Sequence, residues 1–284
     1  QLELRGSNTL TAQNGSISIC HSTNSTISTS NANSNASAIY LNGTNTLTAA
    51  RGNITISGNN SGYDSYYHGV DGIAMTGNIT MTAANISING SGLNNTINNS
   101  LSLPSTRGIS FEGGNFTFTG NTSITGTAIV GSGVGFRKTN NITFNNGTAV
   151  INAKNNGTTP MNSGHGYVAA FGDSSSANDA IGVLNFNLNN ANLSINASSI
   201  NGSGISGSPG YNGCITINGS GNVSINGTSQ NYDGIAYINF NASGLNGTAI
   251  ITGSSTNKTG VLLLNTSQNN VTITGNATGN GSGV

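Results

Sequence analysis

Short runs in which hydrophobic and polar residues alternate recur along the whole chain. Examples are Ile54–Ser57, Ile79–Thr82, Phe116–Thr119 and Val271–Thr274. Alternation with a period of two, bounded by Asn and Gly, is typical of half-buried strands. Asn, Ser, Thr and Gly dominate the spaces between the runs, and residues that favour helices are scarce. The pattern therefore predicts an all-β protein.

The strand-like runs belong to a longer repeat, whose first element is a glycine followed by an apolar residue. Copies occur at Gly72-Ile73, Gly108-Ile109, Gly133-Val134, Gly166-Tyr167, Gly213-Cys214, Gly234-Ile235 and Gly260-Val261, and successive copies lie 21 to 47 residues apart along the chain. Repeats of this length are typical of proteins built from stacked units. We predict one domain over residues 1–284, a parallel β-helix (β-solenoid) of about nine rungs with three short strands each. We also expect it to be a segment of a larger exoprotein.

Charge is scarce, since only 7 Lys and Arg and 7 Asp and Glu occur in 284 residues and the net charge is zero. Such a chain lacks the basic surface that nucleic acids require, and it lacks an apolar run long enough for a membrane-spanning helix. Asp71 and Arg107 occupy equivalent positions of successive repeats, as do Glu112 and Arg137. We therefore predict two lateral, solvent-exposed ion pairs that report the strand register.

The composition offers little to catalysis or metal binding. Cys20 and Cys214 are far apart in the repeat order, so we expect no disulfide between them, and the three histidines have no ligand spacing. We therefore predict no catalytic residue, metal site or cofactor. Asp173 and Asp179 are the only close pair of carboxylates, and they are the basis of one alternative, a glycan-processing enzyme.

Asn-x-Ser/Thr sequons are the most frequent modification signal, and about 29 of the 50 Asn residues lie in one. Tight turns and strand starts generate the same tripeptides without any modification. Glycosylation remains an open hypothesis, because attached sugars would supply the solubility that charge does not. The candidate acceptors are Asn42, Asn53, Asn78, Asn85, Asn89, Asn115, Asn141, Asn146, Asn192, Asn201, Asn218, Asn222, Asn226, Asn246 and Asn270.

Long insertions between repeats are the candidate contact loops, because binding residues concentrate on loops. The insertions are Gly62–Val70, Leu93–Arg107, Asn155–Gly166 and Gly172–Ala180. Gly62–Val70 contains a group of aromatic residues, and Gly172–Ala180 contains two acidic residues. The candidate contact residues are therefore Tyr63, Tyr66, Tyr67, His68, Asp173 and Asp179.

Three segments, at residues 10–19, 47–58 and 77–90, carry a family resemblance. "LTAQNGSISI", "LTAARGNITISG" and "GNITMTAANISING" are similar to the filamentous-haemagglutinin repeats of bacterial exoproteins. The likeness extends to the high-molecular-weight adhesins exported by two-partner secretion, some of which are glycosylated at Asn sequons. The resemblance implies a right-handed β-helix, secretion to the bacterial cell surface and an outer-membrane exporter as partner.

From the pattern and the resemblance together we predict a non-enzymatic adhesin. It would bind a host-cell or surface receptor, a glycan among the candidates, through many weak contacts. An alternative is a structural subunit of an extracellular filament, in which copies of the chain associate end to end.

Overall fold

The computed structural model describes residues 1–24, 37–62, 70–93, 106–129, 131–157, 169–172, 181–207, 213–267 and 270–284. These ranges contain strands, turns and bends and no helix. The strands are β1 (Leu2–Ala12), β2 (Ile17–Thr23), β3 (Ile39–Asn60), β4 (Ile73–Gly92), β5 (Thr106–Ala128), β6 (Gly131–Phe136), β7 (Lys138–Asn155), β8 (Ala169–Gly172), β9 (Ile181–Ser199), β10 (Ser203–Ser206), β11 (Gly213–Ser220), β12 (Val223–Ser229), β13 (Ile235–Asn246), β14 (Ala249–Ser255), β15 (Val261–Ser267) and β16 (Val271–Ala277).

All strand pairs in the described structure are parallel, and their register aligns chemically similar residues. Ile39 of β3 pairs with Ile73 of β4, which pairs with Ile109 of β5, and Val134 of β6 follows. Because a one-residue slip would move every buried side chain to the outer face, the apolar periodicity fixes this register. The repeat in the sequence therefore corresponds to neighbouring strands.

The hydrogen-bonded strand order closes on itself. Strands β5, β6, β8, β10, β13, β11, β9 and β7 form a ring, which makes a closed eight-stranded parallel β-barrel with the other strands outside it. The prediction of a right-handed β-helix with about nine rungs of three short strands is therefore wrong.

The difference arises because several strands are longer than predicted. β3, β4 and β5 contain 22, 20 and 23 residues and continue through the glycines that bound the alternating runs in the sequence. A long strand can pair with different neighbours along its length. β5 pairs with β6 through Thr106–Phe111 and with β7 through Gly114–Ala128, and this branching allows the ring to close.

The core consists of the inward residues of the alternating runs. Phe118, Phe144 and Phe186 form one aromatic column, with ring centroids 5.6 and 6.2 Å apart in near-parallel pairs. Phe111 stacks on Phe136 at 5.2 Å, and all five side chains are at most 2% exposed. Aromatic pairs in this geometry stabilise a core by about 0.5–1.5 kcal/mol beyond their area burial.

Pairs of glycines allow two backbone segments to touch. A Cβ on Gly90 would lie 2.2 Å from the carbonyl oxygen of Gly108, and one on Gly108 would lie 2.3 Å from the amide nitrogen of Thr127. No side chain fits at such separations, so these positions require glycine. The same contact recurs between Gly58 and Gly72, Gly90 and Gly108, Gly126 and Gly133, Gly227 and Gly234, Gly253 and Gly260, and Gly275 and Gly283.

Candidate functional site

Asparagine side chains on the outer face are joined into rows that cross the strands. Asn185 Nδ2 donates to Asn141 Oδ1 over 2.8 Å, Asn141 Nδ2 to Asn115 Oδ1 over 2.9 Å, and Asn115 Nδ2 to Asn78 Oδ1 over 2.9 Å. Neighbouring parallel strands are about 4.8 Å apart, which suits a primary amide, since its nitrogen donates on one side of the group and its oxygen accepts on the other. We call Asn78, Asn115, Asn141 and Asn185 the asparagine row.

Shorter rows of the same kind lie elsewhere on the described surface. Asn85 donates to Asn53, Asn189 to Asn145, Asn226 to Asn196 and Asn257 to Asn231, with distances between 2.7 and 3.1 Å. These rows hold uncharged donors and acceptors at fixed positions. The outer face is therefore a regular polar array with little conformational freedom.

An open groove lies where five neighbouring parallel strands end. The carboxyl ends of β7, β9, β12, β14 and β16 are aligned there, because Lys154 pairs in register with Ser198, Ser198 with Thr228, Thr228 with Ser254 and Ser254 with Asn276. The groove has a volume of about 540 Å³. Most of its lining residues have a hydroxyl or amide side chain, and the lining comprises Lys154, Asn155, Asn156, Ser198, Ser199, Ile200, Thr228, Ser229, Gln230, Ser254, Ser255, Thr256, Asn276 and Thr278.

Three buried serines of the groove lining, Ser199, Ser229 and Ser255, pair in register on neighbouring strands. Two of them form hydrogen bonds to the backbone of the turn that follows their strand. Ser229 Oγ donates to Gly202 O over 2.7 Å and accepts the amide of Tyr232 over 2.9 Å. Ser255 Oγ bonds the carbonyl of Tyr232 and the amide of Lys258 in the same way. The third, Ser199, pairs with Ser229 in register, but its hydroxyl is buried and has no hydrogen-bond partner. Its hydrogen-bonding capacity is unused, which is unusual for a buried polar atom.

The predicted pair Asp71 and Arg107 is brought together, but its surroundings differ from the expectation. Arg107 Nη1 lies 4.0 Å from Asp71 Oδ1, and the Arg107 amide donates to the same oxygen over 3.0 Å. The side chains are 0% and 1% exposed, so the expectation of a solvent-exposed pair is wrong. Burial raises the pKa of the Asp71 carboxyl to about 7, because desolvation outweighs the attraction to Arg107. A separation too long for a hydrogen bond explains why the cation compensates only in part.

The second predicted pair lies beside the first. Arg137 Nη1 is 3.7 Å from Glu112 Oε1, and both side chains are about one-fifth exposed. Tyr40 lies close enough to Glu112 for the two to interact, and burial, together with the Glu112 charge, raises the pKa of the Tyr40 hydroxyl. Asp71, Arg107, Glu112 and Arg137 therefore form one cluster of charges.

The candidate glycosylation sites differ in accessibility. Most are exposed or half-exposed, but Asn201 is only 8% exposed and donates to the carbonyl of Gly157. Asn115 and Asn141 are accessible, but their amide nitrogens serve as donors in the asparagine row. The exposed acceptors are Asn53, Asn78, Asn85, Asn115, Asn146, Asn192, Asn222, Asn246 and Asn270, and the half-exposed ones are Asn42, Asn89, Asn141, Asn218 and Asn226.

The predicted contact residues lie outside the described residues. This applies to Tyr63, Tyr66, Tyr67, His68, Asp173 and Asp179, which fall in ranges 63–69 and 173–180. Cys20 and Cys214 are described, and both are free thiols. Among the residues with described positions, no three His, Cys, Asp or Glu side chains form a group that could hold a metal ion.

Sequence reasoning missed the groove, although a signal for it exists. Near the ends of its strands the chain reads Ser198-Ser199-Ile200-Asn201, Thr228-Ser229-Gln230-Asn231 and Ser254-Ser255-Thr256-Asn257. Two hydroxyl residues, a variable position and an Asn recur in this order. The pattern resembles any polar turn, and only the parallel register shows that its copies lie side by side.

Comparisons with protein-family models, curated proteins and solved structures each found no match. The resemblance to adhesin repeats therefore stays a prediction. The described ranges contain no helix of 18 or more residues that is apolar enough to cross a membrane.

Proposed function

We propose that the chain is a non-enzymatic attachment protein of the bacterial cell surface that binds uncharged, hydroxyl-rich polymers through many weak contacts. The observation that carries this proposal is the asparagine row, in which four amide side chains are held in register by hydrogen bonds of 2.8–2.9 Å. Groups fixed in this way lose little conformational entropy when a ligand binds.

Because its amide side chains are uncharged, the asparagine row also favours uncharged, hydroxyl-rich ligands. An amide or hydroxyl that bonds a ligand gives up a hydrogen bond to water, so a single contact adds little to the free energy of binding. Contacts repeated across strands and across many copies of the protein add up through effective concentration. Secretion, an outer-membrane exporter and a specific receptor are implied by the family resemblance alone.

The test measures retention of beads that carry the chain at graded densities on films of neutral polysaccharide, with heparin films as the charged comparison. We expect retention on at least one neutral film to rise steeply with density, because attachment is multivalent. We also expect it to change little between low and high salt, since attraction between charges is screened but contacts of neutral groups are not. Beads that carry the heat-unfolded chain are the control.

Retention that is confined to heparin and lost at high salt would contradict the proposal. So would the absence of retention on all neutral films at the highest density.

A further inference from the structure

We infer that the groove at the carboxyl ends of β7, β9, β12, β14 and β16 binds one extended, neutral oligosaccharide that runs across the strands. This inference rests on the proposed function and deepens it, because it assigns one site on the molecule to one polymer chain. The groove is distinct from the asparagine row, since no member of that row lines the groove.

The shape of the groove favours an elongated ligand. It crosses five strands in register, and four steps of about 4.8 Å give a length of about 19 Å. The row from Lys154 to Asn276 lines the groove along its length, together with residues that follow the strand ends, among them Gln230 and Thr256. A single sugar would contact only a fraction of this length. An oligomer would meet the same group types at each strand.

The chemistry of the lining favours neutral hydroxyl groups. Among the lining residues only Lys154, at one end, is charged, and Ile200 is the only large apolar one. Hydroxyl and amide side chains can both donate and accept hydrogen bonds, as sugar hydroxyls do. A strongly anionic polymer would find one cation along the full length.

The direction of the groove disfavours a peptide. An extended peptide gains affinity mainly by pairing its backbone with a strand edge, but a ligand here lies across the strands and not beside one. Peptide side chains also need apolar pockets for specificity, and the lining offers Ile200 alone.

Among the lining residues, Ser199 alone has a buried side-chain polar atom without a hydrogen-bond partner. Its side chain belongs to the lining and is 5% exposed, and its hydroxyl has no hydrogen-bond partner, whereas the equivalent Ser229 hydroxyl has two. A buried hydroxyl without a partner is costly. Rotation of this side chain toward the groove would let a ligand hydroxyl relieve this cost.

The test uses the full chain and three probes, which are cellohexaose, mannohexaose and chitohexaose, with amide chemical shifts as the readout of binding. Thr228→Tyr places a large side chain at the exposed central position of the row from Lys154 to Asn276. Thr9→Tyr is the matched control, because Thr9 is an exposed threonine of β1 outside the groove. We expect at least one probe to shift groove amides in the parent chain, Thr228→Tyr to weaken that binding at least tenfold, and Thr9→Tyr to leave it unchanged.

A second pair of variants separates binding from folding. Ser199→Ala removes no hydrogen bond, so we expect its urea midpoint to equal that of the parent while its binding weakens. Ser229→Ala loses two hydrogen bonds, and its urea midpoint should fall.

Each outcome identifies which inference fails. If Thr228→Tyr and Thr9→Tyr bind a probe equally well, the groove assignment is wrong and the proposed function stands. If no probe binds the groove while the beads are still retained on neutral films, the groove assignment again fails alone. If no probe binds the groove and no neutral film retains the beads, the groove assignment and the proposed function are both wrong. Groove shifts produced by an extended Gly-Ser peptide and by none of the saccharides would overturn the ligand class.

Discussion

Asp71 is the residue whose environment differs most from that of a typical carboxylate. It is 1% exposed, its neighbouring cation lies 4.0 Å away, and one backbone amide donates to it. Loss of water disfavours the ionised form more strongly than these partners favour it, so the pKa of Asp71 is raised to about 7. The folded state therefore binds a proton at Asp71 over a pH range in which the unfolded state has released it.

This difference predicts that the free energy of unfolding falls as the pH rises from about 4 to about 7. Below pH 4 the carboxyl is protonated in both states, and above pH 7 it is ionised in both, so the loss is confined to that window. Its size is up to about 4 kcal/mol, from about 1.4 kcal/mol per pKa unit. Asp71→Asn should remove this pH dependence, as measured by urea unfolding at several pH values.

Asp233→Asn is the matched control for that experiment. Asp233 also precedes a Gly-Ile pair and also accepts a backbone amide, from Thr259 over 3.0 Å. We expect the control to keep the pH dependence of the parent. Equal pH profiles for the parent and Asp71→Asn would contradict the assignment.

At the residue scale, the sequence predicts which residues lie side by side better than it predicts how deeply they are buried. The pairing of Asp71 with Arg107 follows from their equivalent repeat positions, because parallel register aligns such positions. Their burial does not follow, since it depends on which segments cover Arg107. Gly135 is one of these, and a Cβ there would lie 2.4 Å from Arg107 Cδ.

At the scale of elements, the glycine pairs fix how strands meet. Because the backbones at Gly90 and Gly108 are in contact, even one methyl group must displace a strand. Gly108 is marked by the repeat in the sequence, but its partner Gly90 has the sequence context of an ordinary turn residue. The contact between them joins residues from different strands, and local sequence does not encode it.

We expect Gly108→Ala to lower the free energy of unfolding by about 3 kcal/mol, near the upper end for an overpacked core. Gly15→Ala is the control, because a Cβ on Gly15 meets no atom within 4 Å. Its effect should stay within about 0.5 kcal/mol, as for other surface substitutions. Urea unfolding compares the two variants, and equal stabilities would refute the role of the glycine pairs.

The asparagine row predicts a second effect at this scale. Replacement of Asn78, Asn115 and Asn141 by Asp places three carboxylates on adjacent strands, where repulsion costs about 1 kcal/mol per neighbouring pair even in water. We expect a loss of about 2 kcal/mol or more at neutral pH, with partial recovery at pH 3 and at high salt. The single variant Asn115→Asp should show a much smaller dependence on pH and salt, and an equal dependence in both variants would contradict the argument.

At the scale of the whole molecule, the all-β character is predictable but the closed ring is not. Alternation such as Phe116-Thr117-Phe118-Thr119 identifies strands wherever it occurs, because it reflects burial of one face. Ring closure requires β5 to pair with two strands along its length, through the segments that begin at Thr106 and at Gly114. Glycine and asparagine in this strand suggest corners, and only tertiary hydrogen bonds show that it continues.

The surface of the whole molecule also predicts where sugars can be attached. In folded protein recovered from a host with Asn glycosylation, we expect occupancy at Asn146 and Asn246, which are exposed. We expect none at Asn201, because a glycan on this buried side chain would prevent packing. Peptide mapping by mass spectrometry measures each site, and an occupied Asn201 in folded protein would contradict the described packing.

The glycine pairs have a consequence for tolerance to insertion. Between Gly227 and Gly234 the chain needs only six residues, whereas seventeen separate Gly90 from Gly108, and the contact between the paired glycines is the same. The entropic cost of closing a loop grows slowly with its length. Insertions at 231–233 and 257–259, which lie outside the strands and outside the groove lining, should therefore be accepted, and the fold can serve as a scaffold for peptide display.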